Sequence, residues 1–172
     1  MEKWDVLNED GVPTGRVAER GNGTLGPGEY HLVVHIWVVS SKGEFLIQRR
    51  SREKALMPGE WAATGGSAIC GETSFCAAQR ELLEELGIAG PIRYLKKMGR
   101  IKKRNSFLDI WFMKSDTPVS GLLLQHSEVA EARWVSEQKL REMIREHRFH
   151  HYGAPYFELI FQYAKEYRYE FE

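Results

Sequence analysis

The chain has 172 residues, 42% of them hydrophobic, which suits one compact domain and is too little for two. A domain of this size buries roughly 70% of the surface its unfolded chain exposes, so it needs no covalent staples. Its 24 Lys+Arg against 24 Asp+Glu argue against a chain built to hold nucleic acid on a broad basic face, and the same balance argues against disorder.

The first residues carry no basic region followed by an apolar stretch, so a secretion signal is not expected. Asp5-Val6-Leu7 and Arg16-Val17 flank the turn signal Asn8-Glu9-Asp10-Gly11 and predict a short hairpin. Residues 1–29, this hairpin plus the glycine-rich stretch 21–28, are expected to pack on a main body of residues 30–172. Residues 32–39 are rich in Val, Ile and Trp and read as a strand buried on both faces. This longest apolar run, interrupted by His35, is too short to cross a membrane. Ser41-Lys42-Gly43 turns the chain into a partner strand at 45–48. Strands are also expected around 92–101 and 107–113, on either side of the polar turn 102–105, and at 132–135. Thr73 and Gly87 are the start and stop signals of a helix over 74–86. Ser136 caps a second helix to about Glu146, and Pro155 opens a third whose stripe is Tyr156, Leu159, Ile160, Tyr163 and Tyr167. A mixed α/β sheet covered by helices on both faces fits this order. Cys70 and Cys76 build neither a disulfide framework nor a four-ligand zinc site; they read as small buried residues in a reducing, cytoplasmic setting.

The helix over 74–86 carries the informative pattern. Phe75, Ala78, Leu82 and Leu86 form its apolar stripe, while Glu81, Glu84 and Glu85 fall at i, i+3 and i+4, about 5–6 Å apart. Arg80 can neutralise one of these three anions. The cluster also lies in the C-terminal half, where the macrodipole disfavours negative charge. Local helix physics resists it, and a divalent cation would reverse the sign, because several carboxylate oxygens suit Mg²⁺ or Mn²⁺. Gly65-Gly66 ahead of the helix and Glu72 at its mouth allow close approach to a metal-bound phosphate. A solvated acidic face is the alternative on spacing alone.

From Gly66 through Glu72 to Arg80-Glu81-Leu82-Leu83-Glu84-Glu85-Leu86-Gly87-Ile88, every specified position of the Nudix box, G-x5-E-x7-R-E-U-x-E-E-x-G-U, is filled. The chain therefore resembles the Nudix hydrolases over roughly residues 30–136. The N-terminal Trp4-Asp5-Val6 and Gly15-Arg16 resemble the branch that includes isopentenyl-diphosphate isomerases. The resemblance implies an α/β/α sandwich with an N-terminal hairpin. It implies Mg²⁺, with Mn²⁺ able to substitute, on Glu81, Glu84, Glu85 and the Gly66 carbonyl. Glu72 and Arg80 would then orient those carboxylates. The expected reaction is hydrolysis of a nucleoside diphosphate linked to another moiety, or a similar organic diphosphate. A carboxylate takes the water's proton: Glu84 or Glu85, slightly preferred, or Glu128 or Glu131. Arg49 and Arg50 are candidate phosphate contacts within the basic cluster that Arg52 and Lys54 complete.

Isomerisation and non-catalytic nucleotide sensing are the rival readings. The isomerases carry a catalytic Cys after the Trp that matches Trp61; here 61–66 read Trp-Ala-Ala-Thr-Gly-Gly, Gly stands at that place, and Cys70 is out of register. The complete box argues against a sensor. His35 reads as a hydrogen-bonded interior residue; the polar-aromatic segment 150–156 can line a substrate pocket, but a loop before a helix is the simpler reading. The expected partner is a small-molecule diphosphate, with no nucleic acid and no membrane; aromatic terminal segments make a homodimer reasonable.

Overall fold

The computed structural model describes residues 2–20 and 25–169; within the glycine-rich stretch, 21–24 lie outside the described residues. In chain order the strands are β1 (Lys3–Leu7), β2 (Pro13–Glu19), β3 (His31–Val39), β4 (Phe45–Arg50), β5 (Trp61–Ala62), β6 (Thr64–Ser67), β7 (Lys96–Lys102), β8 (Ser106–Lys114) and β9 (Val129–Val135). The helices are α1 (Ser74–Leu86), α2 (Glu137–Arg145) and α3 (Ala154–Tyr169).

β1 and β2 form the expected antiparallel hairpin, and the Asn8 side chain closes its turn by accepting from the Asp10 and Val12 amides at 2.9 and 3.0 Å. It joins the body where Leu7 and Tyr30 exchange backbone hydrogen bonds of 2.7 and 2.9 Å. The main sheet is mixed. β3 runs parallel to β8 along its whole length, and β7 adds antiparallel outside β8.

On its other edge β3 meets a fork. It pairs with β4 only at Val38↔Leu46 and Val39↔Phe45. Towards its N-terminal end it pairs instead with β6, from Val33↔Ser67 to Ile36↔Thr64, while β4 pairs with β5 and β9. Residues 61–67 thus bridge two diverging strands, and α1 lies across this gap.

Strand alternation divides the core. Val34, Ile36, Val38 and Leu46 pack with Ala77, Ala78, Leu82 and Leu86 of α1. Trp37, Val39, Phe45 and Ile47 pack with Leu140 and Met143 of α2 and with Tyr156, Ile160 and Tyr167 of α3. Helices therefore cover both faces, as expected.

Three local readings change. Residues 92–94 are a 3-10 turn after Pro91, so the strand expected from 92 begins at Lys96. The strands at 61–67, rich in Ala and Gly, carried no apolar alternation to announce them. Cys70 and Cys76 are exposed rather than buried: Cys76 lies on the outer side of the first turn of α1, and the Cys70 thiol donates to Asp5 of the hairpin at 3.1 Å.

Candidate active site

α1 begins where the Thr73 hydroxyl accepts from the Cys76 amide at 3.2 Å. It ends at Gly87, whose φ of 68° suits glycine and whose amide donates to the Leu83 carbonyl at 3.0 Å. Fixed at both ends, the helix turns Glu81 and Glu85 inward over the fork. They are 8% and 4% exposed, so the acidic face is not a solvated one. Glu84, one turn from Arg80, stays half exposed.

Each buried carboxylate has its own donors. Glu85 accepts from the Gln48 side-chain amide at 2.8 Å and from the Gly65 backbone amide at 3.3 Å, so it is held by both arms of the fork. Glu81 accepts from Arg80 Nη1 at 2.9 Å, and the same nitrogen reaches Glu84 at 3.1 Å. Arg80 spends its remaining donors on Glu72, at 2.7 and 3.0 Å, and on the Ser67 carbonyl at 3.0 Å. Burial raises the Glu72 carboxyl, but the Arg80 fork outweighs it and leaves Glu72 below the ordinary range. Glu81 and Glu85 go the other way. Burial raises both, and the Glu81 charge adds to it at Glu85, which is pushed up to about 8.

Four carboxyls, Glu72, Glu81, Glu84 and Glu85, thus crowd the single Arg80 guanidinium, and the two buried ones are driven towards their neutral forms. Among the described residues no three His, Cys, Asp or Glu side chains converge as a ready-made metal cluster. The chemistry of the residues nevertheless fits a hard divalent cation. Three carboxylates and the Gly66 backbone line one cleft, and the Gln48 Oε1 atom beside Glu85 is buried without a donor. A Cβ at Gly66 would come within 2.4 Å of Glu81 Oε1, so only glycine admits that carboxylate so near the backbone.

This cleft, of ≈ 340 Å³, runs past Gly65 and Gly66 to the opposite face of the sheet. There it is walled by His31, His35 and Tyr152, with Arg50, Lys54, Leu56 and Met57 at the rim. Glu128 lies at the mouth and pairs with Lys54, and the Ser51 amide donates to the Glu128 carbonyl at 2.9 Å, stapling the β4–β5 loop.

Of the expected site residues, the fold gathers Gly66, Arg80, Glu81, Glu84, Glu85, Arg50 and Glu128 around the cleft. Glu72 stands behind, on Arg80. Arg49 is not brought there. Successive residues of β4 face opposite sides, so Gln48 and Arg50 share the cleft side while Arg49 points away, 3.7 Å from Glu131. Glu131 itself is engaged by Arg49 and Arg133 away from the cleft. The sequence reading missed Gln48, whose signal was its alternation with Leu46. Tyr152, from the 150–156 segment read more simply as a loop, does reach the cleft wall from the connection before α3.

The chain matches the family model for the NUDIX domain over residues 29–156. It is 42% identical to an uncharacterized Nudix hydrolase of Listeria monocytogenes over 144 residues, 83% of this chain and 85% of that one. It is 30% identical to an isopentenyl-diphosphate Delta-isomerase of Streptomyces coelicolor over 80% of this chain and 73% of that one. A crystal structure from Deinococcus radiodurans superposes with a TM-score of 0.72 at 24% identity, covering 86% of this chain and 91% of that one.

Proposed function

The chain belongs to the Nudix hydrolase family, and on that premise we propose that it hydrolyses the diphosphate bond of a nucleoside diphosphate linked to another moiety, or of a similar organic diphosphate, with Mg²⁺. Nudix hydrolases are generally divalent-metal dependent, and Mn²⁺ is expected to substitute. Glu81, Glu84, Glu85 and the Gly66 carbonyl are the residues that would hold the cation. When bound, it offsets the charge of the diphosphate oxygens and makes a water more acidic.

The chain's own groups do the rest. Glu72 fixes the Arg80 fork, which orients Glu81 and Glu84. Gln48 and Gly65 hold Glu85. The water's proton passes to a carboxylate of α1, Glu84 or Glu85. Arg50 and Lys54 at the rim meet the incoming anion, and Glu128 positions Lys54. The observation that carries this reading is the burial of Glu81 and Glu85 side by side over the fork with one shared arginine between Glu81 and Glu84.

The test is a panel of organic diphosphates assayed with Mg²⁺ and with Mn²⁺ in ¹⁸O-labelled water. Release of a phosphorylated product bearing the label supports the proposal; no turnover of any member with either metal overturns it. The isomerase relatives favour a second reading. Against it, the Cys70 thiol is tied to Asp5 outside the cleft. Incubation with isopentenyl diphosphate decides the matter, and formation of the allylic isomer would replace hydrolysis as the assignment.

A further inference from the structure

The cleft wall opposite the carboxylates holds a hydrogen-bond chain that the proposed hydrolysis does not use. Trp37 Nε1 donates to the Tyr156 hydroxyl at 2.9 Å, and that hydroxyl lies 2.7 Å from His35 Nδ1. An indole nitrogen only donates, so the hydroxyl accepts from Trp37. Tyr156 is 5% exposed, and its own proton has one acceptor among the described residues, the His35 ring. If His35 Nδ1 carried a proton instead, the Tyr156 proton would be buried without a partner, at a cost comparable to a lost hydrogen bond. The satisfied arrangement therefore leaves Nδ1 as an acceptor and puts the ring proton on Nε2. Burial lowers His35 to about 3, aided by the charges of Lys103, His150 and Arg50, so the ring is neutral. Nε2 has no partner among the described residues and is not one of the buried orphan atoms, so it opens on the cleft that His35 lines.

We propose that His35 is a specificity-determining residue. Its Nε2–H, fixed by the Trp37–Tyr156 chain, donates to a carbonyl oxygen or ring nitrogen of a planar organic group attached to the diphosphate. This rests on the diphosphate reading above and names what the group attached to that diphosphate must offer. The surroundings fit a flat group: the Tyr152 ring lies 4.9 Å from the His35 ring and shares the wall with it. A neutral donor also adds no positive charge to a cleft meant to take a cation. An alkyl chain seated here would strand the N–H without an acceptor, so the same residue selects against a purely hydrocarbon substituent. Tyr156 and Trp37 are positioning residues, since they act through the ring.

The test is nitrogen NMR of the histidine side chains in the whole protein with Mg²⁺, titrated separately with ADP, CDP, GDP, UDP, inorganic pyrophosphate and isopentenyl diphosphate. The free protein is expected to show His35 protonated at Nε2 and bare at Nδ1. At least one nucleoside diphosphate should move the Nε2–H signal, whereas pyrophosphate and isopentenyl diphosphate should not. His35→Leu should weaken binding of that nucleotide about tenfold or more while leaving pyrophosphate binding alone, and His35→Gln should restore much of the loss through its own N–H. Tyr156→Phe should let both ring tautomers appear. A proton on Nδ1 in the wild type overturns the proposal, and that measurement stands even where a variant fails to fold. So does pyrophosphate binding with no response of His35 to any nucleotide, which leaves the diphosphate reading intact. Failure to bind pyrophosphate and to hydrolyse any diphosphate overturns both.

Discussion

Gly65 and Gly66 stand side by side on β6, yet a side chain at each would meet a different kind of atom. At Gly65 a Cβ would come within 2.1 Å of the Val34 carbonyl oxygen, which is fixed in the sheet. Gly65→Ala is expected to part β3 from β6 and cost about 2–4 kcal/mol, seen as a lowered denaturation midpoint. At Gly66 the atom met is a carboxylate oxygen of Glu81. Gly66→Ala is expected to leave the midpoint nearly unchanged while weakening Mg²⁺ binding about tenfold or more in a calorimetric titration. Glu85→Gln should separate stability from activity in the same way. It keeps the volume and removes a buried acid that folding must hold protonated, so at alkaline pH the metal-free protein should be at least as stable as wild type. Turnover should fall roughly a hundred- to a thousandfold if Glu85 holds the cation.

The placement of those residues depends on α1 starting and stopping where it does. Thr73→Ala removes the cap and should cost about 1 kcal/mol, a shift of roughly 2–4 °C in midpoint for a chain of this size. Gly87→Ala should cost more. Its backbone sits at φ 68°, and a Cβ would meet Leu123 at 2.6 Å. Both ends of this helix were legible in the sequence because caps are local chemistry: one hydroxyl, one glycine. The carboxylate spacing was legible too, as three- and four-residue steps fix one side of a helix. What the pattern could not say is which side faces inward, because Glu81 and Glu85 become buried only when β4 and β6 diverge beneath them. That divergence is a tertiary event at Ala- and Gly-rich positions with no periodicity. Arg49 and Arg50 show the same boundary, since adjacency in sequence is opposition on a strand. The aromatic stretch 150–156 was legible as a candidate pocket lining, but that Tyr152 and Tyr156 would meet His35, 121 residues away in the case of Tyr156, left no mark a single sequence could reveal.

Across the whole molecule the buried titratable groups pull in opposite directions. Glu85 is held up to about 8 by burial first and the Glu81 charge second, so the folded state favours its neutral form. That stabilisation is complete in acid and fades as pH rises through about 8. His35 and His31 are held down to about 3 and about 4, chiefly by burial; their contribution is complete above their ordinary value of 6.5 and fades in acid. Well above 6.5 and up to about 8 both histidines are neutral in either state, and the carboxylates set the slope. Metal-free protein is therefore expected to lose stability as pH rises through that window in denaturant titrations with chelator. Saturating Mg²⁺ should flatten the loss, and so should Glu85→Gln without metal. The fork has a longer reach than chemistry. Glu85 is gripped by groups of the wedge of β4 and β6, and Glu81 and Glu84 by Arg80 of α1 itself, whereas the hairpin, the β4–β5 loop and the stretch before α3 border the entrance from outside that wedge. Those outer segments can therefore be lengthened, shortened or recharged without moving the wedge, so the grip on a guest and the edge that cuts it are separately adjustable.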